Sequence, residues 1–402
     1  MGAVRRLAAT ALALAATAVW AAPAFGTARV AVNPSGDATV TVDAVAGADG
    51  NHGLIVEPFR DVFREDAFRV RQDALGVPPI VSDQGACTTN GVFNDVVCGL
   101  SLASIGVTTG DGADRLLLSE PGFGSITRCP FGAAEQPTVR ATVSLGDGND
   151  ELLVKLFDLP TCSDIDVNIP VTANGGGGRD KLKGGRLGDT LRGGAGRDEV
   201  DGGGGNDVLS GGPDPDDITD TGGGSDLVQY DERVNPVRVT PFDLLDNDGE
   251  PGERDNVNWT VEKVSGGQGG DTLENDSVFV GGGVIDVAVT FTGNGGDDTL
   301  IGGPDDDTLL GNAGADELSG REGADLLSGL DDGDELEGGP GADQLFGGAG
   351  NDTLDARDGE IDVRIACGDG VRDTANIDLR DPAPTDCEVV NRFAVGSAVV
   401  LR

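Results

Sequence analysis

The chain has 402 residues, a formal net charge of −42 and a pI near 4.1, with aromatic residues at only 4%. That charge excludes nucleic-acid phosphate as a partner, because neutralising phosphate takes Lys and Arg, and it favours cations and solubility. So few aromatic rings exclude a single large aromatic core. The 67 glycines suit either an acidic low-complexity linker or a turn-rich repeat, and only their spacing decides between the two.

Residues 1–26 read as a secretory signal. Arg5-Arg6 open it, the run from Leu7 to Ala22 is apolar and alanine-rich, and small residues precede cleavage after Ala22 or Gly26. The run is short for a membrane anchor, and nothing later is long enough to span a bilayer. The expected location is extracellular, with association at a cell surface as an extension of it. Six cysteines in an exported chain point to disulfides. Proximity favours Cys87–Cys98, Cys129–Cys162 and Cys367–Cys387.

Residues 27–173 read as an N-terminal β-rich cap domain held by disulfides. Ala28 to Val32 and Thr39 to Val45 alternate as strands do, and Leu54-Ile55-Val56 makes another strand. Two segments, Gly110 to Leu116 and Gly146 to Leu152, echo the repeat that follows. Their aspartates, Asp114 and Asp150, lack a stacking partner in evident register and are not counted as ligands.

From residue 174 a nine-residue pattern takes over, G-G-x-G-x-D-x-U-x, with U a large apolar residue. Gly193 to Asp201 is one full copy and Gly202 to Ser210 follows without a gap. Residues 174–229 hold the first block, with starts at Gly175, Gly184, Gly193, Gly202, Gly211 and Thr221. Residues 293–355 hold the second, with starts at Gly293, Gly302, Gly311, Gly320, Gly329, Gly338 and Gly347. The phase slips by one residue at Asp220. Between the blocks, residues 230–292 form a β-rich insert with one copy, Gly266 to Glu274. In that insert, Val234 to Val239 and Val257 to Val264 read as strands flanking the acidic loop Asp246-Asn247-Asp248-Gly249-Glu250. Pro251 stands where an EF-hand loop needs glycine, so the expectation is a solvated hairpin. Residues 275–292 add β-rich sequence, and residues 356–402 lose the nonamer and read as a C-terminal cap.

Glycines permit positive φ and close backbone approach, so G-G-x-G is a turn. The x-U-x triplet is a short strand with its apolar residue inward. Leu182, Leu191, Val200, Leu209, Leu300, Leu309, Leu318, Leu327, Leu336, Leu345 and Leu354 then make the core. The regular apolar residue separates this chain from a disordered acidic linker.

The tandem copies resemble the RTX, or hemolysin-type, calcium-binding nonapeptide repeat, over roughly residues 175–390. The resemblance implies an all-β fold, a parallel β-roll (β-solenoid) in which each coil uses two nonamers, with the N-terminal β domain as its cap. Aspartate fills the sixth position of every copy: Asp180, Asp189, Asp198, Asp207, Asp216, Asp226, Asp271, Asp298, Asp307, Asp316, Asp325, Asp334, Asp343 and Asp352. Two nonamers per coil put Asp298, Asp316, Asp334 and Asp352 in one column, and Asp307, Asp325 and Asp343 in the other. Carboxylates about 4.8 Å apart repel by roughly 3–4 kcal/mol at an effective dielectric near 20. A column of them needs counter-charge, and carboxylate plus turn carbonyl oxygens suit Ca²⁺, several ions per chain.

No catalytic constellation accompanies the repeats. His52 is the one histidine, which excludes H-E-x-x-H zinc chemistry. Gly122-Phe123-Gly124-Ser125-Ile126 misses the G-x-S-x-G elbow, and no P-loop Gly-Lys-Ser/Thr occurs. The expectation is a non-enzymatic, extracellular calcium-binding protein with a structural or adhesive role, whose roll folds on the ion. Its further partner would be at a cell surface or matrix. The alternative is a secreted hydrolase or toxin-like effector that uses the repeats as a calcium-dependent folding and secretion module.

Overall fold

A large apolar residue between two half-exposed ones, with glycine turns on either side, suits a three-residue strand whose centre points inward. The computed structural model repeats that unit along the chain. It describes side chains over residues 141–154, 170–241, 247–258, 260–275 and 287–394, and elsewhere, between residues 27 and 285, the strand backbone alone. The expected signal, residues 1–26, lies outside the described residues, as do His52, Asp114, Cys129 and Cys162. What is described is a parallel β-solenoid of about 11 turns. Among the described residues there is no helix, and so none long and apolar enough to cross a membrane.

One face of the solenoid is a continuous parallel sheet. Along it Ala173, Leu191, Leu209, Val228, Val264, Phe291, Leu309, Leu327, Leu345 and Ile365 stand side by side in register. The opposite face stacks Leu152, Leu182, Val200, Ile218 and Val257, and then, in a second sheet, Val239, Leu273, Leu300, Leu318, Leu336, Leu354 and Ala375. All of these side chains are buried, and every leucine and valine expected in the core is among them. Partners such as Leu309 and Leu327 are one coil, or two nonamers, apart. Each buried aliphatic side chain stabilises the fold by about 1.5–3 kcal/mol. Because one coil presents only two such residues, stability comes from stacking neighbours.

The parallel stack extends N-terminally past residue 174. The strand Val171–Gly178 pairs with Arg140–Ser144, which pairs with Ser104–Thr108 and then Asp37–Asp43. The other face runs through Glu151–Lys155 and Arg115–Ser119 to Gly53–Arg60. Antiparallel pairing of Thr27–Val32 with Asp37–Asp43, and of Gly53–Arg60 with Asp66–Gln72, follows on the two faces. Cys87 lies opposite Cys98 in a further antiparallel pair, with side chains outside the described residues.

The insert differs from a solvated hairpin. Its short strands Arg238–Val239, Asn256–Val257 and Lys263–Ser265 all join the stack in parallel register. The acidic loop enters the solenoid wall as a single reversed rung. Asp248 pairs antiparallel with Asp255, and Gly249 with Arg238. The carboxylate of Asp248 is buried and accepts the backbone N–H of Thr240 at 2.7 Å and of Val257 at 2.9 Å. The physical reason is a gap in the second face, since Asn256–Val257 ends one sheet and Arg238–Val239 begins the next. The rung joins the two edges. Asp246 lies outside the described residues. Residues 278–280 and 283–285 form a two-stranded antiparallel hairpin of their own.

At the C-terminal end the stack continues after the nonamer is lost. Arg364–Asp369 extends the continuous face, and Thr374–Asp378 and Val389–Phe393 extend the other. The expected Cys367–Cys387 disulfide is present, with Cα atoms 5.2 Å apart and a sequence separation of 20. A loop of that length constrains the unfolded chain by about 3 kcal/mol in the entropic model.

One column of turn residues carries strain. Asn294, Asn312, Leu330, Gly348 and Gly368 lie in register, and all have positive φ, Leu330 at 85°. Glycine and asparagine tolerate that region, whereas other residues lose roughly 1–2 kcal/mol in it. Leu330 is also 41% exposed, so its side chain recovers little by burial. Leu330→Asn is therefore expected to stabilise the fold by about 0.5–1 kcal/mol, read as a higher melting temperature in saturating calcium. An unchanged or lower value would remove strain as a property of this position.

Candidate metal centre

The sixth-position aspartates stand directly before the strand triplets, so the strands that stack the core also stack them. Every aspartate expected to bind metal in the sequence is buried, none more than 3% exposed. They line up in columns one coil apart. In the second block the amide N–H of Asp298 donates to Asp316 Oδ1 at 2.8 Å, that of Asp316 to Asp334 Oδ1 at 2.9 Å, and that of Asp334 to Asp352 Oδ1 at 2.9 Å. The other column repeats the bond from Asp307 to Asp325 and from Asp325 to Asp343. In the first block Asp180, Asp198 and Asp216 form one column, and Asp189, Asp207 and Asp226 the other. Asp271 joins the column of Asp298 across the insert. Both expected columns are therefore present, and both extend further than expected.

The extension comes from aspartates that the nonamer count leaves out. Asp150, set aside for want of a partner, does have one: its N–H donates to Asp180 Oδ1 at 2.7 Å. Asp255 takes the place above Asp216, Asp362 that above Asp343, and Asp373 that above Asp352. A usable signal was present, since Asp150, Asp255 and Asp373 each precede an inward-facing residue by two positions, as Asp-x-Leu, Asp-x-Val and Asp-x-Ala.

One oxygen of each ladder carboxylate is thus held by a backbone donor. The other is commonly bare. Oδ2 of Asp180, Asp198, Asp207, Asp216, Asp226, Asp298, Asp316, Asp325, Asp334, Asp343 and Asp352 is buried and accepts no hydrogen bond. Asp189, Asp271 and Asp307 differ, because their Oδ2 accepts the N–H of Gly185, Gly267 and Gly303. Except for Asp226, whose copy begins with Thr221, each bare oxygen points at the first glycine of its own nonamer. A Cβ on Gly320 would lie 2.3 Å from Asp325 Oδ2 and 2.6 Å from the Gly338 carbonyl oxygen, and Gly193 has the same relation to Asp198 and Gly211. Glycine is required there because carboxylate and carbonyl oxygens converge on that point.

Leaving a buried carboxylate oxygen without a donor costs several kcal/mol unless the group is neutralised. The titration behaviour follows. Burial pushes Asp198, Asp207, Asp325 and Asp334 up to about 7, and nearby carboxylates add to the shift. Asp298 rises to about 8, and Asp216 to about 9, in both cases through burial first and then carboxylates beside them, Asp271 for one and Asp255 for the other. Bare carboxylate oxygens facing backbone carbonyls, with no nitrogen or sulfur donor among them, fit a hard oxygen-seeking cation such as Ca²⁺.

A family model described as the RTX calcium-binding nonapeptide repeat (4 copies) matches residues 183–218, 292–327 and 328–360. Those segments contain Asp189, Asp198, Asp207 and Asp216, and then Asp298 through Asp352. Asp180, Asp226 and Asp271 lie outside them yet occupy the same ladders. No curated protein matches the chain.

Two outcomes follow from this geometry. Unfolded aspartates ionise near the ordinary 3.8, whereas the folded, metal-free ladder holds protons up to pH 7–9. The folded state binds more protons in that window, so stability without metal is full below about pH 4 and is lost as pH rises through the folded values. In chelator, the melting temperature should be higher at pH 5 than at pH 8, and saturating calcium should abolish or reverse that order. Equal chelated stability at both pH values would contradict the ladder's protonation. The second outcome concerns the columns. Asp316→Ala removes the acceptor of the Asp298 N–H and leaves the Asp307–Asp325 bond intact. Amide exchange should speed up at Asp298 by a loss of protection of about 1–3 kcal/mol, with Asp307 unchanged. Equal losses at both amides would rule out independent columns.

Proposed function

We propose, for a chain that carries RTX calcium-binding nonapeptide repeats, that it is an extracellular protein whose solenoid folds when calcium enters the aspartate ladders. Its role in this reading is structural or adhesive, at a cell surface or matrix, and it is not an enzyme. The observation that carries the proposal is the run of buried carboxylates whose Oδ2 atoms have no donor. Such a run is unfavourable when ionised and bare, and favourable once a divalent ion neutralises it. Binding energy of the ion is then folding energy. Export supports the reading from the sequence side: residues 1–26 have the composition of a secretory signal, and calcium is abundant outside cells. The Cys367–Cys387 bond is of the kind that persists in oxidising surroundings.

In this reading the fourteen sequence ligands act collectively: the eleven with a bare Oδ2 give that oxygen, and Asp189, Asp271 and Asp307, whose Oδ2 already accepts a glycine N–H, share theirs with the ion. Residues 27–173 close one end of the stack and residues 356–402 the other. The test is far-UV circular dichroism of the mature protein during a calcium titration, with magnesium as control. A cooperative gain of β signal in calcium alone is the expected result. A full β signal in chelator at pH 8 would make the ion an ornament on a self-sufficient fold and would overturn the proposal. For the surface role, the protein should sediment with its cells in calcium and leave them on chelation.

A further inference from the structure

The single slip in the repeat phase puts an extra carboxylate into the ladder. In the regular coils, the residue after each strand triplet is the first glycine of the next nonamer, as Gly202 follows Glu199–Asp201 and Gly211 follows Val208–Ser210. A Cβ on those glycines would lie 2.4 Å from Asp207 Oδ2 and 2.2 Å from Asp216 Oδ2, so a side chain is excluded. After the triplet Asp217–Thr219 the residue is Asp220, and the next ladder aspartate, Asp226, comes one residue later than the period demands. The added residue gives Asp220 the room that Gly202 and Gly211 lack. Its N–H donates to Thr260 Oγ1 at 3.0 Å, which fixes the backbone there.

The consequence is a cluster of three carboxylates. Ligand oxygens of Asp207, Asp220 and Asp226 all lie within 4.8 Å of one another. The three residues are 1%, 3% and 0% exposed. Asp207 Oδ2, Asp220 Oδ1 and Asp226 Oδ2 each accept no hydrogen bond. The remaining oxygens of the two ladder members are already used: Asp207 Oδ1 accepts the N–H of Asp189, and Asp226 Oδ1 that of Asp207. Nearby Asp201 is occupied elsewhere, by Lys183 and by Thr221. Burial, and then Asp226 and Asp207, push the Asp220 carboxyl up to about 7. We infer that Asp220 joins the ladder pair Asp207 and Asp226 to make a three-carboxylate divalent-cation site, of higher affinity than the regular ladder positions, created by the one-residue slip at Asp220.

The preference is for a hard cation with flexible oxygen coordination, Ca²⁺ over Mg²⁺, and more carboxylates around one ion raise affinity. The site shares Asp207 and Asp226 with the ladder and so deepens the proposed function, while its dependence on Asp220 sets it apart from the other positions. The experiment is equilibrium dialysis of the full chain against ⁴⁵Ca²⁺ over a wide range of free calcium, with circular dichroism at saturating calcium as a check on folding. The wild-type chain should take up one ion per chain at a free calcium at least tenfold below the midpoint of the remaining ions. Asp220→Asn should remove that first step and leave the later ones. Asp220→Gly, which supplies the residue found at this place in other coils, should do the same and covers the case in which the Asn variant fails to fold. Asp325→Asn should reduce the later uptake and keep the first step. A first step that survives both Asp220 substitutions, or a wild-type curve with no separate first step, overturns the inference. A lone Asp220-dependent step with no later uptake would uphold it while defeating the calcium reading of the regular ladder.

Discussion

The structure depends on one repeated bond, from the amide N–H of one ladder aspartate to the Oδ1 of the aspartate a coil further on. It does two things at once. It satisfies a backbone donor that would otherwise be buried and unpaired at every turn, and it aims the second carboxylate oxygen into the bend made by the glycines. The fold thereby produces its own electrostatic deficit, repeated with the same period as its core. Stacked leucines favour adding coils, and the carboxylates oppose it until something neutralises them. Stability and ion dependence are two consequences of one residue position.

Much of this was legible in the sequence, because period is a property a sequence displays directly. The spacing of Leu300, Leu318, Leu336 and Leu354 by two nonamers was enough to place them on one face, and Asp298 through Asp352 followed as a column. What escaped was whatever departed from the period. Asp150 lies 30 residues before Asp180 and Asp255 lies 39 after Asp216, yet both occupy adjacent rungs. Extra residues between two rungs are invisible to a period count, since stacking constrains only where the strand returns. The hydrogen bond itself was also illegible: like-charge repulsion between neighbouring carboxylates was the expected problem, and the amide donor answers half of it by engaging Oδ1. The acidic loop was misread for a different reason. Asp246 to Glu250 carry the composition of a solvated turn, and composition does not disclose that Asp248 spends both oxygens on buried backbone donors.

The first and second blocks differ in how they treat their outward surface. In the first, Lys181 pairs with Glu199 and Lys183 with Asp201 one coil apart, and Arg197 pairs with Asp217, which also lies directly opposite Glu199. In the second, Glu317 stacks on Glu335 and Glu337 on Asp355. Exposed ion pairs contribute little each, while like charges directly opposite across a rung are destabilising. The second block therefore relies more completely on its interior, and on what neutralises it, than the first.

The reversed rung at Asp248 and Gly249 has a consequence for how the chain finds its alignment. Coils of equal length and nearly equal sequence can stack out of frame by a whole coil with little change in core contacts, and a uniform array has no means of telling one frame from the next. The rung breaks that degeneracy. Its two antiparallel partners, Asp255 and Arg238, occur once, and the bonds from Asp248 to Thr240 and Val257 close in one frame alone. Tyr230, the sole tyrosine of the chain, adds its hydroxyl to Asp255 at 3.0 Å in the same layer. A segment that looks like an interruption of the repeat thus serves as an index mark, a place from which the coils on either side can be counted.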